Sequence, residues 1–197
     1  YPCVKAKIII TYTDGSNEEV VTDPTWKVTE GPVSFTSIFG GEDYDATREL
    51  PGWQKTGYDD SQWKNSLVVD GPTQLVSQQS NYLTINKIFE VTHISEPKPG
   101  AWVYDFGQNA SAIPAIKVSG KKGDLIKLIP GELLDSTSLV TQKGVGGPVY
   151  FTYTLKGDSI ETWQAQFTYY GYRYVQVEGA VPEGKANASG QPVILNM

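Results

Sequence analysis

The chain has 197 residues, 39% apolar and 19% charged, with 20 glycines and 12 prolines; this suits a turn-rich globular protein long enough for two β-domains and excludes a disordered or collagen-like one. A net charge of −6 argues against a nucleic-acid footprint, which needs clustered Lys and Arg. One cysteine (Cys3) excludes an internal disulfide framework, one histidine (His93) excludes multi-His zinc sites, and no apolar run approaches the roughly 20 residues of a membrane-spanning helix.

The chain opens at Tyr1-Pro2-Cys3, almost at once inside strand-like sequence, so an excised segment or processed chain is expected. Lys5 to Thr13 is β-branched and aromatic. Asp14-Gly15-Ser16-Asn17 and then Glu18 to Thr22 complete a hairpin signature. Trp26 to Val28 and Val33 to Phe39 read as short strands. A stretch dense in Gly, Asp and Tyr follows from Gly40 to Ser66, in which Asp59 to Trp63 suits one helical turn. Leu83 to Val91 alternates apolar and polar positions and reads as a half-buried strand.

Ser95-Glu96-Pro97-Lys98-Pro99-Gly100 cannot continue a central strand and is read as a boundary. Strands are then expected at Trp102 to Phe106, Ile113 to Val118, Leu125 to Ile129, Val149 to Leu155, Trp163 to Tyr169 and Tyr172 to Glu178. Turns at Gly120 to Gly123, Gly144 to Pro148 and Lys156 to Asp158 separate them, and one short helix fits near Gly131 to Leu134. Many short strands with Gly/Pro turns predict an all-β chain of two sandwiches in tandem. The expected division is residues 1–95, 96–180, and a polar linker or tail over 181–197.

The densest chemistry lies in Gly41-Glu42-Asp43-Tyr44-Asp45-Ala46-Thr47-Arg48-Glu49, ahead of Trp53 and Trp63. Carboxylates beside aromatic planes suit a sugar, whose hydroxyls want polar partners and whose C–H faces want rings. The same carboxylates suit Ca²⁺, a cation needing six to eight oxygens, although the spacing is not that of an EF-hand. A solvated loop with its tryptophans in the core is the third reading. The run Phe167-Thr168-Tyr169-Tyr170-Gly171-Tyr172-Arg173-Tyr174 fits a sandwich core or a docking face as well as a ligand platform. Asn109-Ala110-Ser111 and Asn187-Ala188-Ser189 match the glycosylation sequon. No G-x-S-x-G nucleophile motif accompanies His93, so hydrolysis through that histidine is the weakest reading.

Taken together, several motifs resemble one family. Thr13 to Ser16, Thr22 to Val28, Glu30-Gly31-Pro32, Gly41 to Ala46, Gly52-Trp53 and Gly57 to Trp63 are similar to the N-terminal domain of bacterial α-L-rhamnosidases of glycoside hydrolase family 78. Gly100 to Asn109, Pro130 to Leu134 and Phe167 to Gly179 resemble the concanavalin-like domain that follows in those enzymes. The resemblance covers about residues 10 to 180 in the expected order.

It implies a jelly-roll and a concanavalin-like sandwich from an inverting α-L-rhamnosidase. The catalytic carboxylates would lie on a helical (α/α) barrel C-terminal to this segment. The segment itself would then be non-catalytic and would serve substrate recognition and scaffolding for a rhamnose-containing glycoside and that barrel. By the same resemblance, Glu42, Tyr44, Asp45, Trp53 and Trp63 are the expected carbohydrate-binding residues, with Glu42 and Asp45 as donors to a Ca²⁺ ion. The alternative is a free-standing, lectin-like carbohydrate-binding module. No nucleic-acid partner or membrane-spanning segment is expected, and a periplasmic or secreted setting is favoured over a cytoplasmic one.

Overall fold

The structure is a computed structural model that describes residues 3–71, 74–145 and 147–197. The described chain is nearly all-β. In order its strands are β1 (Lys7–Thr11), β2 (Asn17–Val21), β3 (Lys27–Val28), β4 (Val33–Ser37), β5 (Gly41–Asp45), β6 (Lys64–Asn65), β7 (His93–Lys98), β8 (Ala101–Ala112), β9 (Ala115–Ser119), β10 (Leu125–Gly131), β11 (Leu133–Leu134), β12 (Val140–Thr141), β13 (Tyr150–Thr154), β14 (Glu161–Gln164), β15 (Tyr170–Glu178), β16 (Val181–Pro182) and β17 (Val193–Asn196). A 3₁₀ turn, Ala46–Arg48, follows β5.

Two compact units divide the chain. The described residues of Tyr1–Glu30 and Leu50–Ile85 form the first; Gly31–Glu49 and Asn86–Met197 form the second. The units interleave along the sequence, whereas linker composition suggests a single division after residue 95. Composition marks where a chain loops; it does not say which strand a segment pairs with.

In the first unit, β1 and β2 pair antiparallel from Lys7↔Val21 to Thr11↔Asn17. Asp14 and Gly15 turn the hairpin as the sequence predicts: Asp14 Oδ1 accepts the Ser16 N–H at 2.9 Å, and Gly15 takes φ +84°, a conformation other residues adopt only with strain. A second small ladder pairs β3 with β6. The expected turn over Asp59 to Trp63 is present as a single hydrogen-bonded turn: Trp63 N–H donates to Asp60 O at 3.0 Å, and Ser61 N–H reaches Asp59 Oδ1 at 3.0 Å. The strand expected over Leu83 to Val91 does not form. No described strand pairs with it; Leu83 and Ile85 are exposed, and only Phe89 and Val91 at its end are partly buried, since alternation makes a strand only where a neighbouring ladder receives it.

The second unit is a sandwich. Its large sheet runs β4-β5-β13-β10-β15-β8-β7, and its small sheet β14-β9-β17-β16. Strand alternation sends one face of the large sheet inward. Across five neighbouring strands Glu42, Phe151, Leu128, Val177 and Trp102 stand in register, all buried. Ile116, Val118, Trp163 and Ile194 of the small sheet complete the core.

Three local expectations change here. Ser95 to Gly100 is ordered rather than a bare linker, and does not continue a central strand: Pro97 sits in β7, the outermost strand of the large sheet, where a missing N–H costs no ladder bond, and Gly100 turns into β8 with φ +79°. Gly131 to Leu134 is the end of β10 and the start of β11, not a helix. The polar 181–197 segment is part of the fold, because β16 and β17 extend the small sheet and bury Val181 and Ile194. Gly146, within the turn expected over Gly144 to Pro148, lies outside the described residues.

Candidate functional site

The acidic stretch folds as β5, inserted between β4 and β13. It pairs parallel with β13 from Gly41↔Tyr150 to Asp45↔Thr154, so alternate side chains take opposite faces. Glu42 and Tyr44 face the core; Asp43 and Asp45 face outward. Gly41 makes the approach possible. Its φ is +97°, and an added Cβ would lie 1.8 Å from the Tyr150 carbonyl oxygen.

Glu42 is 0% exposed. Its carboxylate accepts the Gln166 N–H at 3.1 and 3.2 Å and the Phe167 N–H at 3.0 Å. These bonds tie the segment after β14 to the edge of the large sheet, where the Thr168 hydroxyl also donates to Ser37 O at 3.1 Å. The other face behaves differently. Asp43 Oδ1 accepts the Thr152 hydroxyl at 2.6 Å, and Asp45 Oδ1 caps the 3₁₀ turn by accepting Thr47 N–H at 3.0 Å and its hydroxyl at 2.6 Å.

Tyr44 joins an aromatic group with Tyr153 and Trp163. Ring centroids lie 5.8 Å apart for Tyr44–Tyr153 and 5.3 Å for Tyr153–Trp163, both pairs inclined at 26°. The Tyr44 hydroxyl donates to Glu49 Oε1 at 3.1 Å, and Lys156 Nζ holds Glu49 Oε2 at 2.9 Å. Burial, then the Glu49 charge and the bond to it, push the Tyr44 phenol up to about 12. The Lys156 ammonium is raised by its bond to Glu49, against an opposing effect of burial. Glu161, a residue the sequence does not mark, is the second buried carboxylate. It accepts the Tyr153 hydroxyl at 2.8 Å and the N–H groups of Lys156 and Gly157 at 3.0 and 2.9 Å.

Of the expected binding residues, the structure brings Glu42, Tyr44 and Asp45 onto one strand, with Glu42 and Asp45 on opposite faces. Trp53 and Trp63 belong to the first unit: the Trp53 ring is 58% exposed, and Trp63 meets Tyr58 edge-on at 5.8 Å. The pair Glu42 and Asp45 does not fit Ca²⁺. The oxygens of Glu42 are committed to backbone N–H groups in the interior, and Asp45 points away from them. Among the described residues no group of three or more His, Cys, Asp or Glu side chains converges on a point where a metal would sit.

A second polar group joins three of the motifs of the C-terminal half. Arg173 in β15 grips Asp105 in β8, and Asp105 Oδ1 also accepts the Gly107 N–H at 2.7 Å. Asn109 Nδ2 donates to Glu132 Oε1 at 3.0 Å, and a Cβ on Gly171 would lie 3.2 Å from that same oxygen. The Asp105 carboxylate thus locks the turn at Gly107 by a side-chain-to-backbone bond. Both sequon asparagines are engaged, Asn109 with Glu132 and Asn187 with the backbone of Gln191.

The fold and its arrangement of glycine-bounded turns and buried carboxylates define a concanavalin-like β-sandwich joined to a smaller β unit. The family model of the α-L-rhamnosidase N-terminal domain matches residues 1–87, and that of the bacterial α-L-rhamnosidase concanavalin-like domain matches residues 95–194. The chain belongs to the bacterial α-L-rhamnosidase family. An α-L-rhamnosidase of Streptomyces avermitilis is 34% identical over 181 residues, covering 90% of this chain and 18% of the relative. One from Formosa agariphila is 35% identical over 186 residues, covering 90% and 19%.

Solved structures agree. The Streptomyces avermitilis enzyme complexed with L-rhamnose superposes with a TM-score of 0.85 at 33% identity, over 98% of this chain and 19% of that one. The Dictyoglumus thermophilum enzyme gives 0.83 at 30%, over 95% and 21%. The chain spans 18–20% of the length of the curated relatives it matches.

Proposed function

We propose that the chain is a non-catalytic segment of an α-L-rhamnosidase, serving substrate recognition and holding the scaffold on which a C-terminal (α/α) barrel would act. The observation that carries this reading is the tandem match of the N-terminal and concanavalin-like domains along a chain about a fifth as long as its relatives. The chemistry of the described carboxylates supports it. Inverting hydrolysis of a glycoside needs two carboxyl groups roughly 6.5–9.5 Å apart flanking an open site, one to give a proton and one to activate water. The buried carboxylates here, Glu42 and Glu161, are instead spent on backbone N–H groups and a tyrosine.

Recognition falls, on this reading, to the exposed Trp53 of the first unit, while Glu42 and Tyr44 hold strand β5 within the second. The test is an assay of the purified 197-residue chain on an aryl α-L-rhamnoside. No turnover is expected, while the parent enzyme carrying Trp53→Ala should show a raised KM with kcat retained. Turnover by the isolated chain would overturn the reading.

A further inference from the structure

The loop between β16 and β17 is closed on itself. Asn187 Nδ2 donates to Gln191 O at 2.8 Å, and the Gln191 N–H returns a bond to Asn187 Oδ1 at 2.9 Å. Facing it, the β7–β8 turn is closed by Glu96, whose Oε1 accepts the Gly100 N–H at 2.9 Å. Both elements belong to the second unit. Between them lies a cleft of about 530 Å³ whose walls include Glu96, Trp102, Lys185, Ala188, Ser189 and Gln191. That volume falls within the range of small-molecule sites, roughly 300–1,000 Å³.

The cleft's chemistry is mixed and uncommitted. Lys185 Nζ stands 6.0 Å from the centre of the Trp102 ring and forms no ion pair among the described residues. The Ser189 hydroxyl and the Gln191 side-chain amide make no hydrogen bond among the described residues, and Glu96 keeps its second oxygen. One wall therefore offers ammonium, hydroxyl and amide donors and the other a carboxylate acceptor, with Ala186 and Ala188 as apolar surface. Charges of opposite sign cancel, so the cleft does not select an anion.

We propose that this cleft is a binding subsite for a neutral pyranose. A sugar hydroxyl donates and accepts at once, so it answers the carboxylate on one wall and the donors on the other, while its C–H face covers the apolar residues. Because the Asn187–Gln191 and Glu96–Gly100 bonds already order both walls, binding spends little on loop ordering. The proposal goes beyond the scaffold reading, which requires no sugar on the concanavalin-like unit.

The experiment is a ¹⁵N-resolved NMR titration of the 197-residue chain with L-rhamnose and, separately, D-glucuronate. Saturable shifts at the Gln191 side-chain amide and the 185–191 backbone are expected with L-rhamnose, at about millimolar Kd. Lys185→Ala and Ser189→Ala should each weaken binding by about fivefold to tenfold without moving Tm, since both side chains are exposed. No saturable shift at these groups up to roughly 100 mM sugar overturns the proposal, as does glucuronate binding about tenfold tighter than rhamnose. Turnover by the chain, which decides the scaffold reading, bears on neither result.

Discussion

Arg173 holds Asp105 with two parallel hydrogen bonds, Nε to Oδ1 and Nη2 to Oδ2, each 2.8 Å long. They bridge β15 and β8 beside the register shift between Tyr172 and Tyr174. Planar guanidinium and planar carboxylate match edge to edge in this bidentate geometry, which a lysine cannot reproduce. The bond to Arg173 holds the Asp105 carboxyl below the usual carboxylate range, with the Gly107 N–H helping and partial burial opposing.

A depressed folded-state pKa stabilises above the unfolded value of about 3.8 and is lost as pH falls through the folded value. Acid unfolding should therefore gain a contribution below pH of about 4, and Asp105→Asn should flatten that limb of the stability-against-pH curve. Arg173→Lys should shift the limb in the same direction but less. Urea midpoints between pH 2 and 6 measure both; an Asp105→Asn curve parallel to the parent's would refute the assignment.

Glu42 predicts a large effect at a site with no surface. Glu42→Ala removes the acceptor for two interior N–H groups and leaves a cavity beside Phe151, at a cost of about 3 kcal/mol or more. Glu42→Gln keeps one acceptor oxygen and should cost about 1–2 kcal/mol. Denaturant unfolding orders the two; an unfolding midpoint for Glu42→Ala equal to the parent's would show that the carboxylate does not anchor Gln166 and Phe167.

The parallel contact of β5 with β13 depends on a missing side chain. Gly41→Ala puts a methyl 1.8 Å from Tyr150 O on a backbone at φ +97°, so the two strands must separate. A loss of about 3 kcal/mol or more is expected, whereas Gly15→Ala, at φ +84° in open space, should cost about 1 kcal/mol. Thermal unfolding compares them, and equal losses would contradict the packing argument.

Two buried tyrosines should respond in opposite ways to losing their hydroxyls. The Tyr153 hydroxyl donates to buried Glu161, and Tyr153→Phe should cost about 2 kcal/mol. The Tyr104 hydroxyl is buried with no partner among the described residues, and burial drives its phenol pKa up. Tyr104→Phe should then leave stability unchanged or raise it by about 1 kcal/mol. A Tyr104→Phe loss as large as that of Tyr153→Phe would mean that Tyr104 has a bond of its own.

The strands themselves were largely legible. Runs such as Tyr150 to Thr154 and Tyr170 to Glu178 carry the β-branched and aromatic residues that suit a pleated surface, and glycines such as Gly15 mark turns by their conformational freedom alone. The motif set from Thr13 to Gly179 likewise determined the family, because each motif is written in local residue order.

Tertiary structure alone decided the partners. Glu42 reads as an exposed acid in its own stretch, yet its task depends on N–H groups at Gln166 and Phe167, supplied by a segment remote in sequence. Leu83 to Val91 carries strand propensity without a strand beside it, and the polar 181–197 segment, unremarkable by composition, closes the small sheet. Propensity and turn chemistry act within a few residues, whereas burial and pairing are set by which distant strand arrives alongside.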